Sequence, residues 1–189
     1  MTWQFRQPIR ADGGLLFGLL ALLTAASIGY GQVTQPSEYQ LKGAFLYHFA
    51  QLVTWPADAF ADAGSPMVIA VLGENPFGKQ LEESMQGKNI NGHPLMVKEV
   101  QSLAEVTNGC HVLFVSNSEK KRLTEILAAV NGKSVLTVGE TDQFIETGGI
   151  INFTMEGTKI RFQINGTAAK AAGLKISSKL LSLATNKPQ

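Results

Sequence analysis

Gly73-Glu74-Asn75-Pro76-Phe77-Gly78-Lys79-Gln80 lies where an apolar strand gives way to a helix, and it nearly spells a phosphate-binding loop. In such a loop backbone N–H groups cradle phosphate, the lysine reaches the outer phosphates, and a following Ser or Thr holds Mg²⁺. Here that position is Gln80, and Pro76 removes one N–H from the cradle. The apolar strand that would supply the second metal ligand ends in Ser116, where an Asp is needed. These residues suit a tight strand-to-helix turn with weak anion affinity at the helix N-terminus, not nucleotide hydrolysis.

The other candidates for chemistry also fail on their partners. Ser118-Glu119-Lys120-Lys121 has the serine–x–x–lysine spacing that places a lysine one helical turn from a nucleophile, but neither Ser-Asp-Asn nor Lys-Thr-Gly occurs. Ser118 reads instead as a helix N-cap before a solvated charged turn. Cys110 and His111 are adjacent, so in an extended segment they point to opposite faces and make a poor nucleophile–base pair. His48, His93 and His111 are scattered without ligand spacing, and His48, on an apolar helix face, reads as a hydrogen-bonded core histidine. No catalytic residue, metal site or cofactor site is expected.

Two features point to binding. Glu38 to Val53 has helical spacing, with Leu41, Ala44, Phe45, His48 and Leu52 on one face and Tyr39, Leu46, Phe49 and Val53 opposite. A helix apolar on every side is either buried or docked against something. Tyr39, Phe45, Tyr47, Phe49 and Trp55 all fall in this short region, as core packing or as an aromatic surface for a partner. Later, Ile160, Phe162 and Ile164 alternate with Lys159, Arg161 and Gln163, which gives one strand an apolar and a polar face. Arg161 and Gln163 read either as solvated side chains or as a hydrogen-bonding patch, Arg's planar fork being suited to carboxylate or phosphate. The candidate partner- or ligand-binding residues are therefore Phe45, Phe49, Trp55, Arg161 and Gln163.

The elements that must position them are legible by pattern. Trp55-Pro56 ends the first helix, because the residue before proline avoids helical geometry. Strands are expected at Met67–Leu72, Leu95–Val100, Val112–Val115 and Ser134–Val138, with helices at Pro76–Met85 and Glu119–Val130 between them. Such alternation implies βαβ units and a parallel sheet. Ile150–Met155 and Lys159–Ile164 flank Glu156-Gly157-Thr158 as a β-hairpin, and helical stretches at Thr167–Ala172 and Ser177–Ala184 follow, broken at Gly173. The expected architecture is one three-layer α/β/α domain with a mainly parallel sheet and a C-terminal hairpin.

The chain has 189 residues, enough for one ordinary domain. Apolar residues make up 44% and charged residues 16%, which excludes a disordered tail or a coiled coil. A net charge of +1 provides no general attraction to nucleic acid or anionic membranes. A single cysteine excludes a disulfide scaffold and leaves Cys110 as a buried thiol or a link between chains, the buried thiol being the expectation. At the start, Arg6 and Arg10 precede an apolar run from Leu15 to Ile28 that Gly29-Tyr30-Gly31 closes. A basic start, a short apolar stretch and a small-residue exit make a secretory signal peptide over residues 1–31. The run is about 14 residues, short of the roughly 20 that a membrane span needs. Cleavage near Gly31 would leave a polar, flexible lead-in over residues 32–37, then the domain over 38–189. An exported protein meets little ATP or NAD(P)H, which weighs against phosphoryl and hydride chemistry.

Leu41–Pro56 (LKGAFLYHFAQLVTWP), Val71–Gly78 (VLGENPFG), Val135–Glu140 (VLTVGE), Gly148–Phe153 (GGIINF) and Ile160–Leu181 (IRFQINGTAAKAAGLKISSKLL) together resemble the YfiR-like family. The resemblance implies a periplasmic α/β protein without catalytic residues that often forms a homodimer. It implies a repressor that holds the periplasmic sensor part of an inner-membrane diguanylate cyclase, thereby controlling cyclic-di-GMP output and biofilm. Sensor kinases are alternative partners, and an OmpA-like outer-membrane lipoprotein relieves the repression by sequestering the regulator. Better-known members carry paired cysteines that make them redox-responsive, and Cys110 alone departs from that pattern. The alternative reading is a periplasmic binding protein for an aromatic or anionic metabolite, which a deep pocket edged by Trp55 and Arg161 would favour. A hydrolase would need the nucleophile–base pair that is missing.

Overall fold

Met67–Leu72 is six apolar residues long and buried throughout, because it is an interior strand of a sheet covered on both faces. The computed structural model describes residues 36–107 and 109–185, and the signal-peptide reading over 1–31 lies outside them. In chain order the elements are α1 (Glu38–Leu52), β1 (Val53–Thr54), β2 (Met67–Leu72), α2 (Lys79–Met85), β3 (Asn89–Ile90) and β4 (His93–Val100). Then come α3 (Leu103–Thr107), β5 (Val112–Val115), α4 (Leu123–Val130), β6 (Leu136–Gly139), β7 (Ile151–Glu156) and β8 (Lys159–Ile164). The chain ends in α5 (Gly166–Ala171), β9 (Lys175–Ile176) and α6 (Ser178–Leu183).

The main sheet runs β3-β4-β2-β5-β6-β7-β8. β4, β2, β5, β6 and β7 are parallel, and the antiparallel partners β3 and β8 lie at its two ends. Alternation along β2 divides the core: Met67, Ile69 and Val71 pack with α1 and α2, while Ala70 and Leu72 pack with residues of α3 and α4. The fold is the expected α/β domain with a mainly parallel sheet and a C-terminal hairpin. α4 buries Leu123, Ile126, Leu127 and Val130, one stripe at helical spacing.

Several local expectations are corrected. α1 is not buried all round: it buries Lys42, Gly43, Leu46, Phe49 and Ala50, while Leu41, Ala44 and His48 are exposed. The helix turned so that Lys42, not His48, faces inward, and His48 pairs with Gln51 at the surface. α2 starts at Lys79 rather than Pro76, because Gly78 at φ +56° and the Asn75 side chain, accepting the Phe77 N–H at 2.9 Å, make Pro76–Gly78 a turn. The helix expected from Glu119 begins as a 3-10 turn over Asn117–Arg122 capped by Ser116, whose hydroxyl accepts the Ser118 N–H. Ser118 instead accepts the Glu74 N–H at 3.0 Å, tying this turn to the loop after β2. The break at Gly173 is filled by β9, which pairs antiparallel with β1.

Phe144 shapes the connection from β6 to β7. It is fully buried between Gly139 and Gly149, and a Cβ on either glycine would overlap its ring. The loop after β6 is thereby pinned at both ends.

Candidate functional site

Ser37 caps α1 in a reciprocal box: its hydroxyl accepts the Gln40 N–H, and the Gln40 side chain accepts the Ser37 N–H. Glu38 and Lys42 are therefore one helical turn apart on the first two turns. Glu140 follows the last residue of β6 at the carboxyl end of the sheet. Lys42 Nζ donates to Glu140 Oε2 at 2.7 Å and to Glu38 Oε1. The Tyr39 hydroxyl donates to Glu140 Oε1 at 3.3 Å. The Lys42 and Glu140 side chains are only 5% and 8% exposed, so this is a buried charge pair rather than a surface bridge.

Lys42 Nζ also lies 4.7 Å from the centre of the Tyr39 ring and 5.7 Å from that of Phe153. Burial pulls the Lys42 ammonium towards deprotonation, but the hydrogen bonds and charges of Glu140 and Glu38 outweigh it and hold its pKa above the ordinary value. Tyr39 is pushed up by burial and by the Glu140 charge.

Past this pair, β6 stops while β7 continues. β6 and β7 share only Val138↔Ile151 and Gly139↔Asn152, whereas β7 stays paired with β8 through Glu156. The step leaves a polar cleft of about 590 Å³ walled by the start of α1, the loop after β6, the free flank of β7 and the 3-10 turn. Asn152 donates its amide N–H to the Thr141 carbonyl at 3.1 Å. Asn152 Oδ1 and Thr141 Oγ1 are buried and have no hydrogen-bond partner among the described residues.

A second polar cluster holds the segment between β1 and β2. Phe60 lies between two imidazoles, stacked 3.7 Å from His93 and 4.4 Å from His111, centroid to centroid. His111 Nδ1 accepts the Val68 N–H at 3.1 Å, so Nε2 carries the proton and donates to the Ala59 carbonyl at 3.0 Å. His93 Nδ1 donates to the Ser65 carbonyl at 2.7 Å. Burial pushes the His111 pKa down; the Ala59 carbonyl opposes this and the His93 charge adds to it.

The five residues singled out by pattern fall in three places. Phe49 is fully buried, and with half-buried Phe45 it packs on Phe153 and Phe162 at centroid distances of 5.0–6.0 Å. α1 and the apolar face of the hairpin thus form one aromatic cluster. Trp55 is half-buried, donates its indole N–H to the Ser134 carbonyl at 3.1 Å, and edges a cavity of about 450 Å³ beside Phe60 and His93. Arg161 is exposed and paired with Glu156 at 2.8 Å, away from that cavity, and Gln163 is half-buried opposite Asn152. Glu140, Thr141 and Asn152 had no signal in residue type or spacing, and Lys42 had a faint one. The one trace was a lysine inside an apolar helical stripe.

Among the described residues no cluster of His, Cys, Asp and Glu could hold a metal ion, and no helix is long and apolar enough to cross a membrane. A sequence model of the family described as YfiR/HmsC-like matches residues 39–185. No curated protein sequence matches the chain. Among solved structures, the chain is similar to one described as a conserved domain protein from Vibrio cholerae O1 biovar El Tor, with a TM-score of 0.50 at 15% identity. That likeness covers 80% of this chain and 60% of the other, and it bears on the fold alone.

Proposed function

The chain belongs to the YfiR/HmsC-like family, and from that premise we propose a periplasmic, non-enzymatic regulator of an inner-membrane diguanylate cyclase or related sensor. The single observation that carries this reading is the family match, which spans nearly all of the described domain. The regulator binds the partner's periplasmic sensor part better in its inactive than in its active conformation, and so lowers cyclic-di-GMP output. Moving such an equilibrium from mostly active to mostly inactive takes a differential of about 5 kcal/mol. Burying apolar surface at roughly 25 cal/mol per Å² supplies that from a modest patch.

The contact surface in this reading takes in Phe45 at the edge of the aromatic cluster, Trp55 at the mouth of the cavity beside Phe60, and Arg161 and Gln163 on the polar face of the hairpin, with Phe49 packed against Phe45 in the core. An OmpA-like outer-membrane lipoprotein that sequesters the regulator is the relieving partner, and a homodimer is the expected assembly. Export by the N-terminal leader delivers the chain to the compartment where these partners meet.

The experiment is capture from solubilised membranes of the source cell with the tagged protein as bait. Recovery of an inner-membrane protein with a cyclase or kinase domain, and a rise in cyclic-di-GMP on deleting the regulator, are expected. Unchanged cyclic-di-GMP in the deletion strain and no captured signalling protein would remove the reading.

A further inference from the structure

We propose that the polar cleft at the carboxyl end of β6 is a binding site for a small primary amine. Three observations converge on a cationic, donor-rich ligand. Glu38, Glu140 and Asp142 outnumber Lys42 and Lys120 among the charged groups of the wall, so the cleft carries one uncompensated negative charge. Asn152 Oδ1 and Thr141 Oγ1 are buried in that wall without a partner, although Asn152 and Thr141 are only 6% and 2% exposed. One Asn152 amide N–H is spent on the Thr141 carbonyl, and the orphan Oδ1 of the same side chain is an acceptor only, so a donor is what pairs it.

The third observation is that the site already accommodates one ammonium. Lys42 Nζ sits between two carboxylates and close to the rings of Tyr39 and Phe153, the arrangement that stabilises an alkylammonium. A ligand ammonium has the same chemistry and finds its acceptors in the second oxygen of Glu38 and in Asp142, which it shares with Lys120 at the surface, while a small shift of the wall opens Thr141 Oγ1 and Asn152 Oδ1 to its N–H groups. A buried polar atom left unpaired is costly, so a ligand that pairs it recovers that cost on binding. An anionic ligand meets the carboxylates instead and is excluded.

The site is independent of the partner reading, so its test uses the purified protein alone. Isothermal titration and melting curves are measured with 1,4-diaminobutane, and with sorbitol and succinate as neutral and anionic controls. The diamine is expected to raise the melting temperature by roughly 5–10 °C at about a hundred times its Kd. Thr141→Val keeps the shape and removes the orphan hydroxyl, and its Kd for the diamine is expected to rise about tenfold. Asp142→Asn, at an exposed position that leaves the fold intact, is expected to weaken binding at least threefold. No shift with the diamine, an equal shift with sorbitol or succinate, or a Kd unchanged in both variants overturns the proposal, the last marking adventitious attraction to an acidic surface.

Discussion

Lys42 and Glu140, 98 residues apart in the chain, meet at 2.7 Å with both side chains almost out of solvent. The pair joins the first helix to the carboxyl end of the sheet, and it explains how a lysine is tolerated on the buried side of α1. Removing one member leaves the other charge buried. Lys42→Met is expected to cost about 3–5 kcal/mol in denaturant unfolding, and Lys42→Met with Glu140→Leu to cost much less. Because the Lys42 pKa is raised on folding, its contribution is full below pH about 10.5 and is lost as the pH rises through the folded value. The double variant should therefore lose less stability than wild type at high pH; equal losses would mean the pair is not a net stabiliser.

His111 gives the opposite pH sign. Its pKa is depressed in the folded protein, so below pH about 6.5 the unfolded chain binds more protons and stability falls with pH. Protonation also turns Nδ1 from acceptor to donor against the Val68 N–H. Stability of the wild type is expected to decline from pH about 6.5 towards 5, with a shallower slope in His111→Gln. Limited proteolysis over the same range should cut first between Ala57 and Ser65, the segment that His111 and His93 hold.

The Cys110 thiol is pushed up to about 12 by burial, and its Sγ donates to the Val112 carbonyl at 3.1 Å. A thiol that is neither ionised nor accessible is a poor nucleophile. At pH 8 the native protein should react with a thiol-specific disulfide reagent at a small fraction of the rate seen after unfolding. Rapid native labelling would place the thiol at the surface.

Phe49 and Arg161 separate packing from binding. Phe49→Ala should cost about 3–5 kcal/mol, since the ring is fully buried among other aromatics. Arg161→Ala should change stability by less than about 0.5 kcal/mol, because its ion pair with Glu156 is exposed. Melting curves run beside cyclic-di-GMP measurements decide the role of the hairpin. A folded Arg161→Ala protein that still represses in full takes the polar face out of the contact surface.

Gly139 and Gly149 flank Phe144 so closely that alanine at either forces the ring aside. Each substitution should destabilise by about 1–3 kcal/mol and displace the loop that carries Glu140, Thr141 and Asp142. Substitution to alanine at Gly64, where the added Cβ meets only the Asp62 carboxylate at an ordinary contact distance of 3.5 Å, is the control and should leave the melting temperature nearly unchanged.

Periodicity is local, and whatever periodicity encodes was legible in the chain. Met67–Leu72 and Val112–Val115 read as buried strands because a strand covered on both faces is apolar at every position. The turn Glu156-Gly157-Thr158 between two alternating segments specified the hairpin, and the five spaced motifs specified the family. Tertiary structure decided which way α1 faces. With apolar residues on all sides its own pattern was degenerate, and the acceptor that draws Lys42 inward is Glu140, far along the chain. The same holds for the histidines: His48 lay in an apolar pattern but is exposed, while His111 gained its buried place from Val68, Ala59 and Phe60. Ser116, rather than Ser118, became the cap because the loop after β2 supplies Ser118 with a different donor, the Glu74 N–H. Polar groups in a core are placed by partners, and partners are a property of the folded chain, so the cleft at Thr141 and Asn152 became visible only when β6 was seen to stop short of β7.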